Sequence, residues 1–72
     1  MAITEADIDR RMQSHQLTND QQINVDSLRS ALTHITKEVL TYVPAGREQS
    51  LMVTHLEEAL MWGVKAIALD GN

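Results

Sequence analysis

The residues best suited to chemistry gather just after a turn, in the run Pro44-Ala45-Gly46-Arg47. Arg47 opens a helix, where unpaired backbone N–H groups and the positive end of the helix dipole favour anions. A cation at that end slightly opposes the dipole, so its placement calls for a bound anion or for Glu48 as a local neutraliser. Ser50, Thr54 and His55 follow on the same helix and offer hydroxyl and imidazole donors to such an anion. A solvated loop-to-helix junction is the alternative reading. Arg10 and Arg11 form a second cationic pair, three and four residues after Asp7. That is ordinary surface ion-pair spacing, and it would also suit a ligand at a subunit junction.

Other chemistries lack their parts. His55 and Glu58 have the i,i+3 spacing of a metal ligand pair, but a di-metal bundle needs two such pairs and further glutamates from other helices. His34 and Glu38, at i,i+4, are explained equally well by surface pairing. Neither a metal nor another cofactor is expected. Ser14, Ser27, Ser30 and Ser50 sit in helical patterns without strained turns, and no glycine-rich phosphate loop is present. The expectation is a protein that is not an enzyme. Trp62, Met61 and Met52 read as core or interface rather than as a binding box.

Three helices must position these residues. Thr4 and Asp7 make a capping box with Ile3 and Ile8 at the positions of a hydrophobic staple, which predicts a helix over about 5–14. Its thin apolar face, Ile8 and Met12, has to dock on something. Thr18 and Gln21 repeat the box and start a helix over about 19–43. There Val25, Leu28, Leu32, Ile35, Val39 and Tyr42 follow the 3,4 spacing of helix-on-helix packing. Pro44 ends it, because the residue before proline is pushed out of the α region. The short turn suits an antiparallel pair. The third helix is expected over about 47–69, with Val53, Leu56, Leu60, Gly63 and Ile67 as its main stripe and Asp70-Gly71-Asn72 after it.

From Ala59 to Leu69 only Lys65 is charged, and a helix apolar nearly all round is buried nearly all round. One partner helix and one short helix cannot cover it, so its second half predicts an oligomer interface, with Ala59, Gly63 and Ala66 allowing close approach. The expected fold is all-α: a single domain made of a short N-terminal helix plus a long antiparallel helical hairpin, assembled into a homo-oligomer.

Composition agrees. At 72 residues the chain is one domain, and a single core of that size rarely supplies more than about 3–5 kcal/mol. It has no cysteine, so neither disulfides nor a thiolate zinc site can supplement that core. A formal charge of −4 argues against long nucleic acid but leaves room for a small anion held by a few aimed cations. The polar, acidic start and the absence of a long apolar run predict no leader and no membrane span.

The run P-x-x-R-E-x-S-L-x-x-T-x-L-E-E-A-x-x-W, from Pro44 to Trp62, resembles the helical hairpin of small bacteriophage proteins that counter bacterial immune signalling. These are the type II anti-CBASS sponges, whose hairpin is shared with the type I anti-Thoeris sponges. The likeness covers roughly Leu28 to Ala68. It implies a homo-oligomer, typically a hexamer, that acts in the cytoplasm of the infected host. Such an assembly sequesters cyclic di- or trinucleotides in pockets between protomers without cleaving them. By that resemblance Arg47 is the first candidate for a phosphate contact, with Thr54 and His55 behind it. The family's dinucleotide pocket also draws a tyrosine and a lysine from the N-terminal half. Here no tyrosine precedes Tyr42 and no lysine precedes Lys37, which leaves Arg10, Arg11 and Arg29 as the cations available. A helical adaptor that binds protein partners through its apolar stripe is the competing expectation.

Overall fold

Two glutamines and two threonines fix where the helices begin and how they are tied together. In the computed structural model, which describes residues 2–13 and 16–70, α1 spans Glu5–Met12, α2 Asn19–Val39 and α3 Arg47–Leu69. Both capping boxes are formed. The Asp7 N–H donates to Thr4 Oγ1 while the Thr4 N–H donates to Asp7 Oδ2, each at 3.1 Å. Gln21 and Thr18 make the same reciprocal pair at 3.1 and 2.9 Å. Each box satisfies backbone groups that a helix start would otherwise leave unpaired.

Helices α2 and α3 pack side by side as an antiparallel hairpin. Val25, Leu28, Leu32 and Val39 of α2 face Val53, Leu56, Leu60, Gly63 and Ile67 of α3, all of them buried or half-buried. Gln21 closes the open end: its Nε2 donates at 3.0 Å to the carbonyl of Ile67, which also accepts the Asp70 N–H, and at 3.2 Å to the carbonyl of Asp70 just past the end of α3. At the turn, Gln49 Nε2 donates to the Val43 carbonyl at 3.1 Å. Gly46, with φ +156° and ψ −171°, occupies a region open essentially to glycine alone. It sets the entry of α3.

Three expectations need correction. Helix α2 stops at Val39 rather than about 43, because its end tightens. The N–H groups of Thr41 and Tyr42 bond three residues back, to Glu38 and Val39, and the Thr41 hydroxyl also takes the Glu38 carbonyl at 2.8 Å. Tyr42 therefore leaves the stripe and is exposed, as is Ile35 on its edge, while Thr36 turns inward and bonds the Leu32 carbonyl at 2.6 Å. Helix α1 ends at Met12, because Gln13 is extended; the expected end at Ser14 lies outside the described residues, as do Gly71 and Asn72. Gly63 gives close approach inside the hairpin, not at an outer face: a Cβ there would stand 2.5 Å from Leu28 Cδ2.

The core of one protomer is thin. Val25, at 1 % exposure, is the one fully buried side chain among the described residues. Ile3, Ile8, Met12, Ile23, Leu51, Met61 and Trp62 are all exposed, the two staple isoleucines included. The protomer has 5866 Å² of accessible surface, against roughly 4,500 Å² for a compact monomer of this mass. Its radius of gyration is 15.5 Å, where a globule of this length would have roughly 11 Å. No helix among the described residues is long and apolar enough to cross a membrane.

Candidate ligand-binding site

The six candidate residues fall into two groups at opposite ends of α3. Arg47 stands in its first turn and is exposed. Ser50 and Thr54 lie on the same flank of the helix, while His55 is turned about 80° from Arg47 by the helical repeat. The Ser50 hydroxyl donates to the Gly46 carbonyl at 3.3 Å, so its proton is turned inward along the helix. His55 Nδ1 sits 3.7 Å from Glu58 Oε2, with both side chains largely in solvent. No third metal ligand joins that pair among the described residues. The start of α3 has no side-chain cap, since Gly46 provides none.

Arg10 and Arg11 belong to the other end. The last turn of α1 lies against the last two turns of α3, and the Lys65 ammonium donates to the Arg11 carbonyl at 2.8 Å. That bond satisfies a carbonyl at the C-terminal end of α1 with a cation, the pairing that the helix dipole favours. Between the two helices lies a cleft of about 510 Å³ lined by Arg10, Arg11, Met12, Trp62, Lys65, Ala66 and Leu69. Its volume falls within the roughly 300–1,000 Å³ of small-molecule sites.

Charge is concentrated there. Three of the chain's six lysines and arginines line this cleft, and its lining holds no carboxylate side chain among the described residues. Asp7 lies on the same helix as the arginines. Its carboxyl is held below the usual range by hydrogen bonding to the Thr4 backbone N–H first and the Thr4 hydroxyl second, with Arg10 and Arg11 adding attraction. A second, smaller cleft of about 240 Å³ lies along the hairpin between Leu32, Val53, Leu56 and Leu60, rimmed by Lys37 and Glu57. Its floor is apolar and its rim carries one charge of each sign.

The structure thus brings Arg10 and Arg11 together with each other, but not with the Arg47 group. Arg47 and Lys65 are eighteen residues apart on one helix, about 27 Å along its axis. Sequence reasoning missed Lys65 and Trp62. Trp62 and Met61 were read as core or interface, and both are exposed in the single chain, so neither is part of its core. The signal for Lys65 was its isolation: a single cation in an apolar stretch of eleven residues has to serve something.

No curated protein matches this chain, and no solved structure does. A family model does: Acb2/Tad1, hairpin domain, over residues 4–68. Domains of this family are known for sponge-type binding of signalling molecules. The match takes in α1, α2, all of α3 but its last residue and every residue lining the cationic cleft except Leu69, and on it the chain belongs to the Acb2/Tad1 hairpin family.

Proposed function

We propose that this protein captures cyclic di- or trinucleotide messengers of bacterial anti-phage signalling and holds them without cleavage, as a phage immune-evasion protein in the infected cell. The observation that carries this reading is the cleft between α1 and α3, whose lining gathers half of the cations of a net acidic chain beside apolar side chains. Such a site suits a compact dianion and not a long polyanion, which would meet the −4 charge of the whole chain.

The working unit is a homo-oligomer, a hexamer by the family likeness. In support, the protomer exposes about 1,400 Å² more than a compact monomer, against the roughly 800 Å² each partner gives to a standard interface. Assembly would also let the Arg47 group of one subunit, with Ser50, Thr54 and His55, approach a ligand held by Arg10 and Arg11 of another.

Calorimetry with a panel of cyclic di- and trinucleotides tests the reading. Binding of at least one member tighter than about 10 μM, roughly −7 kcal/mol, is expected. Chromatography of the recovered ligand should return it chemically unchanged. No member binding at that level overturns capture, and an altered product overturns the non-enzymatic role.

A further inference from the structure

We infer that α3 pairs antiparallel with α3 of a second copy, about a two-fold axis at Trp62, so that Glu58 of each chain meets Lys65 of the other. This rests on the homo-oligomer of the capture reading and names the surface that joins its chains. Trp62, the chain's one tryptophan, is 68 % exposed, and Met61 beside it is 67 % exposed. Leaving an indole in water is unfavourable unless something covers it, and tryptophan is prominent among the anchors of protein interfaces. His55, Glu58, Trp62, Lys65 and Leu69 follow one another at spacings of 3, 4, 3 and 4, the seam of a helix pair. By the helical repeat this seam lies across α3 from the stripe of Leu56, Leu60, Gly63 and Ile67 that faces α2. Ala59 and Ala66, both exposed, flank it and leave room for a second backbone.

The seam is centred on Trp62. His55 and Leu69 stand seven residues to either side, Glu58 four before and Lys65 three after. An antiparallel copy turned about that centre sets His55 against Leu69, and Glu58 within about 1.5 Å of the level of Lys65. Two opposite-charge pairs form per dimer, whereas a parallel copy would set like charges against each other. The seam runs about 21 Å from His55 to Leu69, more than a nucleobase covers and well within the reach of a second helix. Charge in the neighbouring cleft does not bar the approach, because Asp7 attracts Arg10 and Arg11 within the protomer. Lys65 gives one N–H to the Arg11 carbonyl and keeps two for Glu58 of the copy. The protomer's excess of about 1,400 Å² over a compact monomer exceeds the roughly 800 Å² that each partner gives to a standard interface. The pairing also carries His55 of the copy to the Leu69 wall of the cleft that Arg10 and Arg11 line. Residues that one chain holds at separate levels of α3 are thereby joined across two.

Because Trp62 is the sole tryptophan, tryptophan emission reports on this surface alone. Without ligand it should be blue-shifted and protected from acrylamide wherever sedimentation shows assembly, and should shift to the red on dilution with the same midpoint. Trp62→Glu should weaken assembly about 30-fold or more, with the helices retained by circular dichroism because the side chain lies outside the protomer's core. The chain has no cysteine, so introduced thiols have no competitors. Glu58→Cys protein mixed with Lys65→Cys protein and oxidised should give the mixed disulfide dimer in excess over either like pair.

Emission that stays solvent-like while the chain sediments as an oligomer overturns this pairing and leaves the oligomer standing. So does a Trp62→Glu protein that assembles as well as its parent. Mixed thiols that join no better than like ones overturn the antiparallel register. A parent chain that sediments as a monomer at every concentration removes the oligomer and this pairing together, and capture is then judged by calorimetry alone.

Discussion

Replacing Gln21 by glutamate separates its two jobs, because the carboxylate keeps one and loses the other. As the N3 residue of α2, Gln21 accepts from the Thr18 N–H through Oε1, and a glutamate accepts there equally well. A negative charge in the first turn even gains about 0.3–1 kcal/mol from the dipole of α2. The Nε2 group, however, donates to two carbonyls at the end of α3, and a carboxylate cannot donate. Two such bonds contribute about 0.5–1.5 kcal/mol each. The new charge would also face the negative end of α3, at about 0.3–1 kcal/mol.

The two dipole effects nearly cancel, which leaves a net loss of about 2 kcal/mol. For a domain of this size that lowers Tm by roughly 8–16 °C. Thermal unfolding followed by circular dichroism, at one fixed protomer concentration, measures it; the concentration must be held because association raises Tm by mass action. The deficit should shrink below about pH 4, where the protonated glutamate regains one O–H donor. A Gln21→Glu protein as stable as its parent at neutral pH refutes the idea that this amide holds the end of α3.

Three further outcomes follow from the geometry. Gly46→Ala should cost about 1–3 kcal/mol through backbone strain alone, since the nearest atom to the new Cβ is 3.9 Å away, and denaturant titration reads it. Asp7 has its folded-state pKa lowered from 3.8, so its contribution to α1 is fully present above that value and is lost as pH falls through the lower folded one. Exchange protection in the first turn of α1, taken relative to the intrinsic rate at each pH, should be constant above about pH 5 and fall under acid, and Thr4→Ala should abolish that fall. Arg47→Ala should weaken cyclic dinucleotide binding roughly 10- to 150-fold with unchanged sedimentation; equal affinity would reject Arg47 as a phosphate contact.

What could be read in the residues and what could not divide along a physical line. Capping boxes are local, so Thr4–Asp7 and Thr18–Gln21 announce themselves by spacing and residue type. The inward stripe of α3 is equally visible, because periodicity alone tells which residues share a face. It does not tell what covers each face. That is why Gly63 was placed both on the inward stripe and at an outer interface and is found against Leu28, and why Trp62, read as core or interface, is found exposed beside the arginines. The end of α2 was misjudged for a smaller reason. Proline marks where a helix cannot continue, but the Thr41 hydroxyl and three-residue backbone bonds had already ended it. The cleft itself was illegible, since it exists only once α1 lies across the far end of α3.

The single buried valine bears on how much of this protein a cell must make. On the capture reading proposed above, a binder without turnover would neutralise at most as many messengers as it has sites, so its effect would scale with copy number. In the proposed assembly, a chain with so thin a core would gain stability from its neighbours, and that gain also scales with copy number. At low abundance the chain would spend more time open and be cleared by proteases, while at high abundance it is both folded and useful. Early, heavy synthesis is then a requirement of the fold as much as of the task.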